Sequence, residues 1–113
     1  MQRYYPSSFV FCLLPKPNIF ASYIHLIPCE LGTSSTDLAN GVATDSSGNV
    51  YVTGGTYGGL DGNTNTGNSD LFVVKYNSSG TKQWTKQLGS SSRDYDYGVA
   101  TDSSGNVYVA GDK

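Results

Sequence analysis

Twelve residues of this chain occur twice without a change. Gly41-Val-Ala-Thr-Asp-Ser-Ser-Gly-Asn-Val-Tyr-Val52 returns as Gly98-Val-Ala-Thr-Asp-Ser-Ser-Gly-Asn-Val-Tyr-Val109, 57 residues later. A repeat of this length is one supersecondary unit, which rarely buries its own apolar surface without a neighbouring unit. The duplication therefore constrains the fold more than any local pattern does. The shared register runs from Leu31/Leu88 to Thr56/Lys113, where 18 of 26 pairs are identical. Upstream of Leu31 the same offset gives only chance matches. The chain divides there into a non-repeat segment, 1–30, and a repeat segment, 31–113.

Within the repeat, apolar and polar residues alternate with period two. Val42 and Thr44 fall on one side and Ala43 and Asp45 on the other, while Val50 and Val52 oppose Tyr51 and Thr53. Such runs bounded by Gly, Ser, Asn and Asp read as strands. Asp45-Ser-Ser-Gly-Asn49 reads as a hairpin turn, with Asp45 accepting backbone N–H bonds and Gly48 supplying a positive φ. Leu71-Phe-Val-Val-Lys-Tyr76 is the strongest strand. Asn77-Ser-Ser-Gly80 is a second turn, and Thr81–Leu88 a fourth strand with Lys82, Trp84 and Lys86 on one side. A long polar loop, Gly54 to Ser69, lies between the second and third strands and is expected to be solvated. No 3.6-period apolar run exists, which excludes helical solenoids.

Four antiparallel strands in one 57-residue period correspond to one propeller blade with a lengthened loop. At Tyr97–Gly111 and Asp70–Tyr76 the chain resembles the SBBP family of β-propeller repeats of bacterial surface and secreted proteins, and more distantly NHL-like repeats. The resemblance covers Leu31–Lys113. It implies an all-β fold of antiparallel blades, with Gly41–Asp45 and Gly98–Asp102 innermost and Thr81–Leu88 outermost. The chain holds one full blade and half of the next, so the expected architecture is an incomplete propeller segment: a bowed sheet of about six strands. Its blade faces need neighbours, either other blades or copies of the same chain. The family context implies a cell-surface or secreted protein.

Residues 1–30 are apolar and aromatic, with Arg3 and Lys16. Pro15-Lys16-Pro17 interrupts the apolar run that a signal peptide needs. Leu26-Ile-Pro-Cys29 resembles a lipoprotein cleavage box, except that Pro28 stands where a small residue belongs. An export or lipoprotein leader and a start unrelated to the repeat both remain open. No unbroken apolar run reaches the length of a transmembrane helix.

Chemistry-bearing residues are sparse. The net charge is −2, without a basic patch for phosphates, so nucleic acid is not an expected partner. His25 is the sole histidine and lies in the non-repeat segment, and the serines sit in turns. Cys12 and Cys29 also lie outside the repeat. No arrangement of nucleophile and base, zinc ligands or phosphate-binding glycines is present, so the expectation is a non-enzymatic binding or scaffolding module without a cofactor. Its alternatives are a fragment of a propeller-based enzyme and a truncated product without function. The one metal candidate is the acidic loop, where Asp61, Asn63, Asn65 and Asp70 offer oxygen ligands of the kind calcium takes. It departs from an EF-hand loop in lacking the closing bidentate glutamate. Tyr51, Tyr57, Tyr76, Tyr95, Tyr97 and Tyr108 serve either inter-blade packing or a surface for a carbohydrate or protein ligand.

Overall fold

The computed structural model describes residues 31–112. The leader readings for 1–30 lie outside the described residues. Six strands follow in order: β1 (Asp37–Thr44), β2 (Val50–Thr56), β3 (Asp70–Tyr76), β4 (Lys82–Leu88), β5 (Tyr95–Thr101) and β6 (Val107–Asp112), with one 3-10 turn at Leu60–Gly62. The all-β reading holds, but the strands form two sheets where one bowed sheet was expected. The first is a four-stranded antiparallel meander, β1-β2-β3-β4, and the second is the β5-β6 hairpin. After β4 the chain does not continue the sheet edge. It turns through Gly89–Asp94 and lays β5 across β1 and β2. One blade thus stacks on the next, as an apolar sheet face requires.

The three hairpins share one turn. Asp45, Asn77 and Asp102 each direct Oδ1 at two backbone N–H groups, two and four residues on. The fourth residue of each turn is Gly48, Gly80 or Gly105, with φ of 80°, 80° and 81°. Only glycine adopts that conformation without steric cost. β1 begins four residues before Gly41 because it carries a β-bulge between Ala39 and Gly41, and β5 repeats it between Asp96 and Gly98. The extra residue lets Asp37 and Thr56 still pair at the far end of the β1–β2 ladder.

Register assigns the faces of the first blade. Val52 opposes Val74 and Val50 opposes Tyr76 on one face, called the front, while Tyr51 opposes Lys75 and Thr53 opposes Val73 on the back. The front carries the main core of Val52, Phe72, Val74 and Tyr76, covered by Leu31 and Leu60. Leu60 is 0% exposed. It comes from the loop expected to be solvated, so that expectation is corrected: the loop is docked, because its one leucine completes the front core. On the back, Tyr51, Thr53 and Val73 are buried beneath the second hairpin and their own neighbours.

Candidate functional site

Three loops at one rim are built alike. Thr33, Thr66 and Ser90 each stand four residues before an aspartate that opens β1, β3 or β5. In each, the backbone N–H and the side-chain hydroxyl donate to that aspartate's carboxylate: Thr33 to Asp37, Thr66 to Asp70, Ser90 to Asp94. The signal was legible as Ser/Thr-x-x-x-Asp before each odd-numbered strand. It escaped the 57-residue comparison because the Thr66–Asp70 copy lies inside the repeat.

Gln87 fastens the middle loop. Its Oε1 accepts from Leu60 N–H at 2.9 Å, and its Nε2 donates to Gly58 O at 3.0 Å and Asp70 Oδ2 at 2.9 Å. Sequence reading missed Gln87 altogether. Nothing in Thr81–Leu88 distinguishes its amide from that of Gln83 except its place on the strand opposite the loop.

The four calcium candidates are distributed along this fastening. Asp61 is ion-paired with Lys82 at 2.8 Å and accepts from the Thr85 hydroxyl. Partial burial pushes its carboxyl up, but the bonds from Lys82 and Thr85 and the Lys82 charge hold it below the usual carboxylate range. Asn63 donates Nδ2–H to Leu60 O, and Asn65 donates Nδ2–H to Tyr57 O. Asp70 is 0% exposed, and its Oδ2 accepts from Thr66 and Gln87. Among the described residues no hydrogen bond joins any two of the four, and no three His, Cys, Asp or Glu side chains cluster as metal ligands. The Oδ1 atoms of Asn65 and Asp70 are buried without a hydrogen-bond partner among the described residues. That of Asp70 sits hard against Gly89, where any Cβ would collide with it.

The aspartates of the opposite rim are engaged in their own turns. Besides its backbone donors, Asp45 accepts Asn49 Nδ2–H at 2.8 Å and the Tyr51 hydroxyl at 3.0 Å. Asp102 repeats both, with Asn106 at 2.8 Å and Tyr108 at 3.1 Å. The asparagine side-chain bond leads in holding both carboxyls below the ordinary aspartate value. The Asp102 bond in turn pushes the Tyr108 phenol up. Asn77, in the Asn-Ser-Ser context of a glycosylation acceptor, spends its Oδ1 on Ser79 and Thr81 N–H in the β3–β4 turn.

The tyrosines separate by position. Tyr51 and Tyr76 are buried, and the Tyr51 ring stands 6.2 Å from that of Trp84 with the Lys75 ammonium 5.5 Å from its centroid. Tyr57 and Tyr95 flank Arg93, whose guanidinium lies 5.8 Å from each ring centroid and donates to Tyr95 Oη at 3.0 Å. Beside Tyr95 an open crevice of about 470 Å³ runs between the blades, walled by Leu71, Leu88, Tyr95 and Val109. Asp94 and Asp112 give it an acidic margin. This crevice and the Tyr57–Arg93–Tyr95 cluster are the chief candidate binding surface. The side chain of Tyr97 is not among those described.

A stack of antiparallel blades, each closed by Asx turns and opened by Ser/Thr–Asp clasps, defines a β-propeller repeat module. The chain belongs to the SBBP β-propeller repeat family, whose pattern matches residues 30–61 and 83–112, over half of its length. Asp61 is the last residue of the first match, and Asn63, Asn65 and Asp70 lie between the two matches. No curated protein matches this chain.

Proposed function

We propose that this chain is a non-enzymatic binding or scaffolding module of a bacterial cell-surface or secreted protein. The observation that carries the reading is the use made of the aspartates. Asp37, Asp45, Asp70, Asp94 and Asp102 each accept two or more hydrogen bonds from residues within their own turn or clasp. Carboxylates so engaged hold a scaffold in shape, and a general base needs one free to reach a substrate proton. The surface location rests on the family resemblance alone. What the module offers a partner is the inter-blade crevice with Tyr95 and Arg93 at its margin, a mixture of aromatic and charged groups suited to protein or carbohydrate.

The test is protease shaving of intact bacteria that express the protein at native level, with fractionation of medium and envelope. Surface or medium location is the expected result. A protein confined to the cytoplasm overturns the reading. So does turnover of a glycoside, ester or peptide panel that is abolished by a single substitution at Asp94 or Asp112.

A further inference from the structure

The two copies of the duplicated hairpin are chemically identical but meet different surroundings. Val99, on the front of the second hairpin, seats on the back of the first. Its Cγ1 lies 3.1 Å from the position a Cβ on Gly41 would take. The equivalent residue of the first copy, Val42, is 66% exposed. At the other end, a Cβ built on Gly98 would meet no atom within 4 Å, although Gly98 is the counterpart of the Gly41 that receives Val99. The tyrosines tell the same story. Tyr51 is 1% exposed and Tyr108 59%, though each donates its hydroxyl to the aspartate of its own turn. The described segment thus presents a valine knob at one end and the matching glycine socket at the other.

We infer that a second copy of this chain docks head to tail, its Val42 seated on Gly98 as Val99 is seated on Gly41. The argument is continuity with an interface already present within the chain. Because residues 41–52 and 98–109 are identical, the front of β1 carries the same side chains as the front of β5. The back of β5 likewise carries those of the back of β1 over this stretch. Whatever packs the two blades of one chain together is offered again between two chains. The Thr44 hydroxyl of the incoming copy takes the role that Thr101 plays within the chain, donating to the carbonyl of Thr101. Tyr108 becomes covered as Tyr51 is. Such an interface is heterologous, joining different surfaces on the two copies, so it extends by addition of further copies. The inference rests on the reading of the chain as a stacking module. It names the partner as a second copy.

The test uses the full 113-residue chain with Cys12→Ser and Cys29→Ser. In sedimentation velocity the mean mass is expected to rise above 12.0 kDa with concentration. Val42→Asp removes the knob and Gly98→Val fills the socket. Each variant alone is expected to stay monomeric with unchanged far-ultraviolet circular dichroism. Each keeps one intact end, so mixing the two restores a 1:1 dimer, which a two-fold symmetric interface would not give. Cysteine pairs supply an independent measurement. Gly41→Cys with Val99→Cys closes a disulfide within one chain, whereas Val42→Cys with Gly98→Cys links chains into a ladder. A wild-type chain monomeric at every concentration overturns the inference, as do variants that associate like wild type or a Val42/Gly98 cysteine pair that forms no ladder. Surface location in the cell is independent of these outcomes, so failure of stacking and failure of the module reading are told apart.

Discussion

The hydroxyl of Thr101 donates to the carbonyl oxygen of Thr44 at 2.8 Å, and Thr44 is its own counterpart one repeat earlier. The bond joins the ends of β5 and β1 at the turn rim. At the opposite rim, Asp94 N–H donates to Ser69 O at 2.9 Å and the Ser69 hydroxyl donates to Asp94 O at 3.2 Å. The second hairpin is therefore fixed to the first blade by polar contacts at both rims and apolar contact between them. Position 41 lies in that apolar contact, and its need for glycine is steric.

A Cβ on Gly41 would stand 2.9 Å from Thr53 Oγ1 and 3.1 Å from Val99 Cγ1. Gly41→Val is thus an overpacking substitution, expected to cost about 1–3 kcal/mol. Gly98→Val has open space, and in dilute solution it is expected to change stability by no more than about 0.5 kcal/mol. Urea denaturation of both variants checks the contrast between two positions that the sequence presents as the same.

Gln87 ties the docked loop to β4 through three hydrogen bonds, one of them to the buried carboxylate of Asp70. Gln87→Ala leaves Leu60 N–H and the Asp70 carboxylate short of a partner, and the expected loss is about 2–4 kcal/mol. Hydrogen exchange gives the sharper readout. Protection at Leu60 N–H is expected to fall well before that of the β2–β3 ladder.

The strands and turns were legible because their determinants are local: period-two alternation in Val50–Thr53 and Leu71–Tyr76, and an Asx residue with glycine three positions later. The number of sheets was not. Whether β5 continues the β4 edge or crosses the back of β1 depends on Gly41 and Val99 meeting across 58 residues, a contact that alternation does not encode. The loop misled for a related reason. Its composition is polar and rich in turn residues, yet Leu60 alone gives it an apolar anchor, and Gln87 supplies the polar one from a strand read as merely amphipathic. The proposed ligands Asp61, Asn63, Asn65 and Asp70 look alike in sequence. In space they serve different partners, because Lys82, Leu60 O, Tyr57 O and Thr66 claim them separately.

That distribution bears on calcium. A site at Asp61, Asn63, Asn65 and Asp70 would have to break the Lys82–Asp61 pair and draw Asp70 away from Thr66 and Gln87. Calcium at 100 times its dissociation constant would add about 2.7 kcal/mol to stability. The expected result of titrating calcium to millimolar concentration at fixed pH is an unchanged Tm. A rise of several degrees that Asp70→Asn abolishes would establish the site.

The turn aspartates set the acid limit. Asp45 and Asp102 hold their protons less tightly when folded, chiefly through Asn49 and Asn106. Their contribution is therefore complete above the unfolded carboxylate value of about 4 and is lost as pH falls through the lower folded values. Asn77 performs the same Oδ1 work in the β3–β4 turn without a titratable group. Exchanging Asp45→Asn and Asp102→Asn together is expected to keep the three hairpins at neutral pH while flattening the fall of Tm between about pH 5 and pH 2. Asp45→Ala with Asp102→Ala, which removes the acceptors, is expected to lower Tm at every pH. Thermal melts of the wild type and the two double variants across that range make the comparison. An undiminished acid slope in the double asparagine variant would place the sensitivity elsewhere, with the Lys82-paired Asp61 as the next carboxylate to examine.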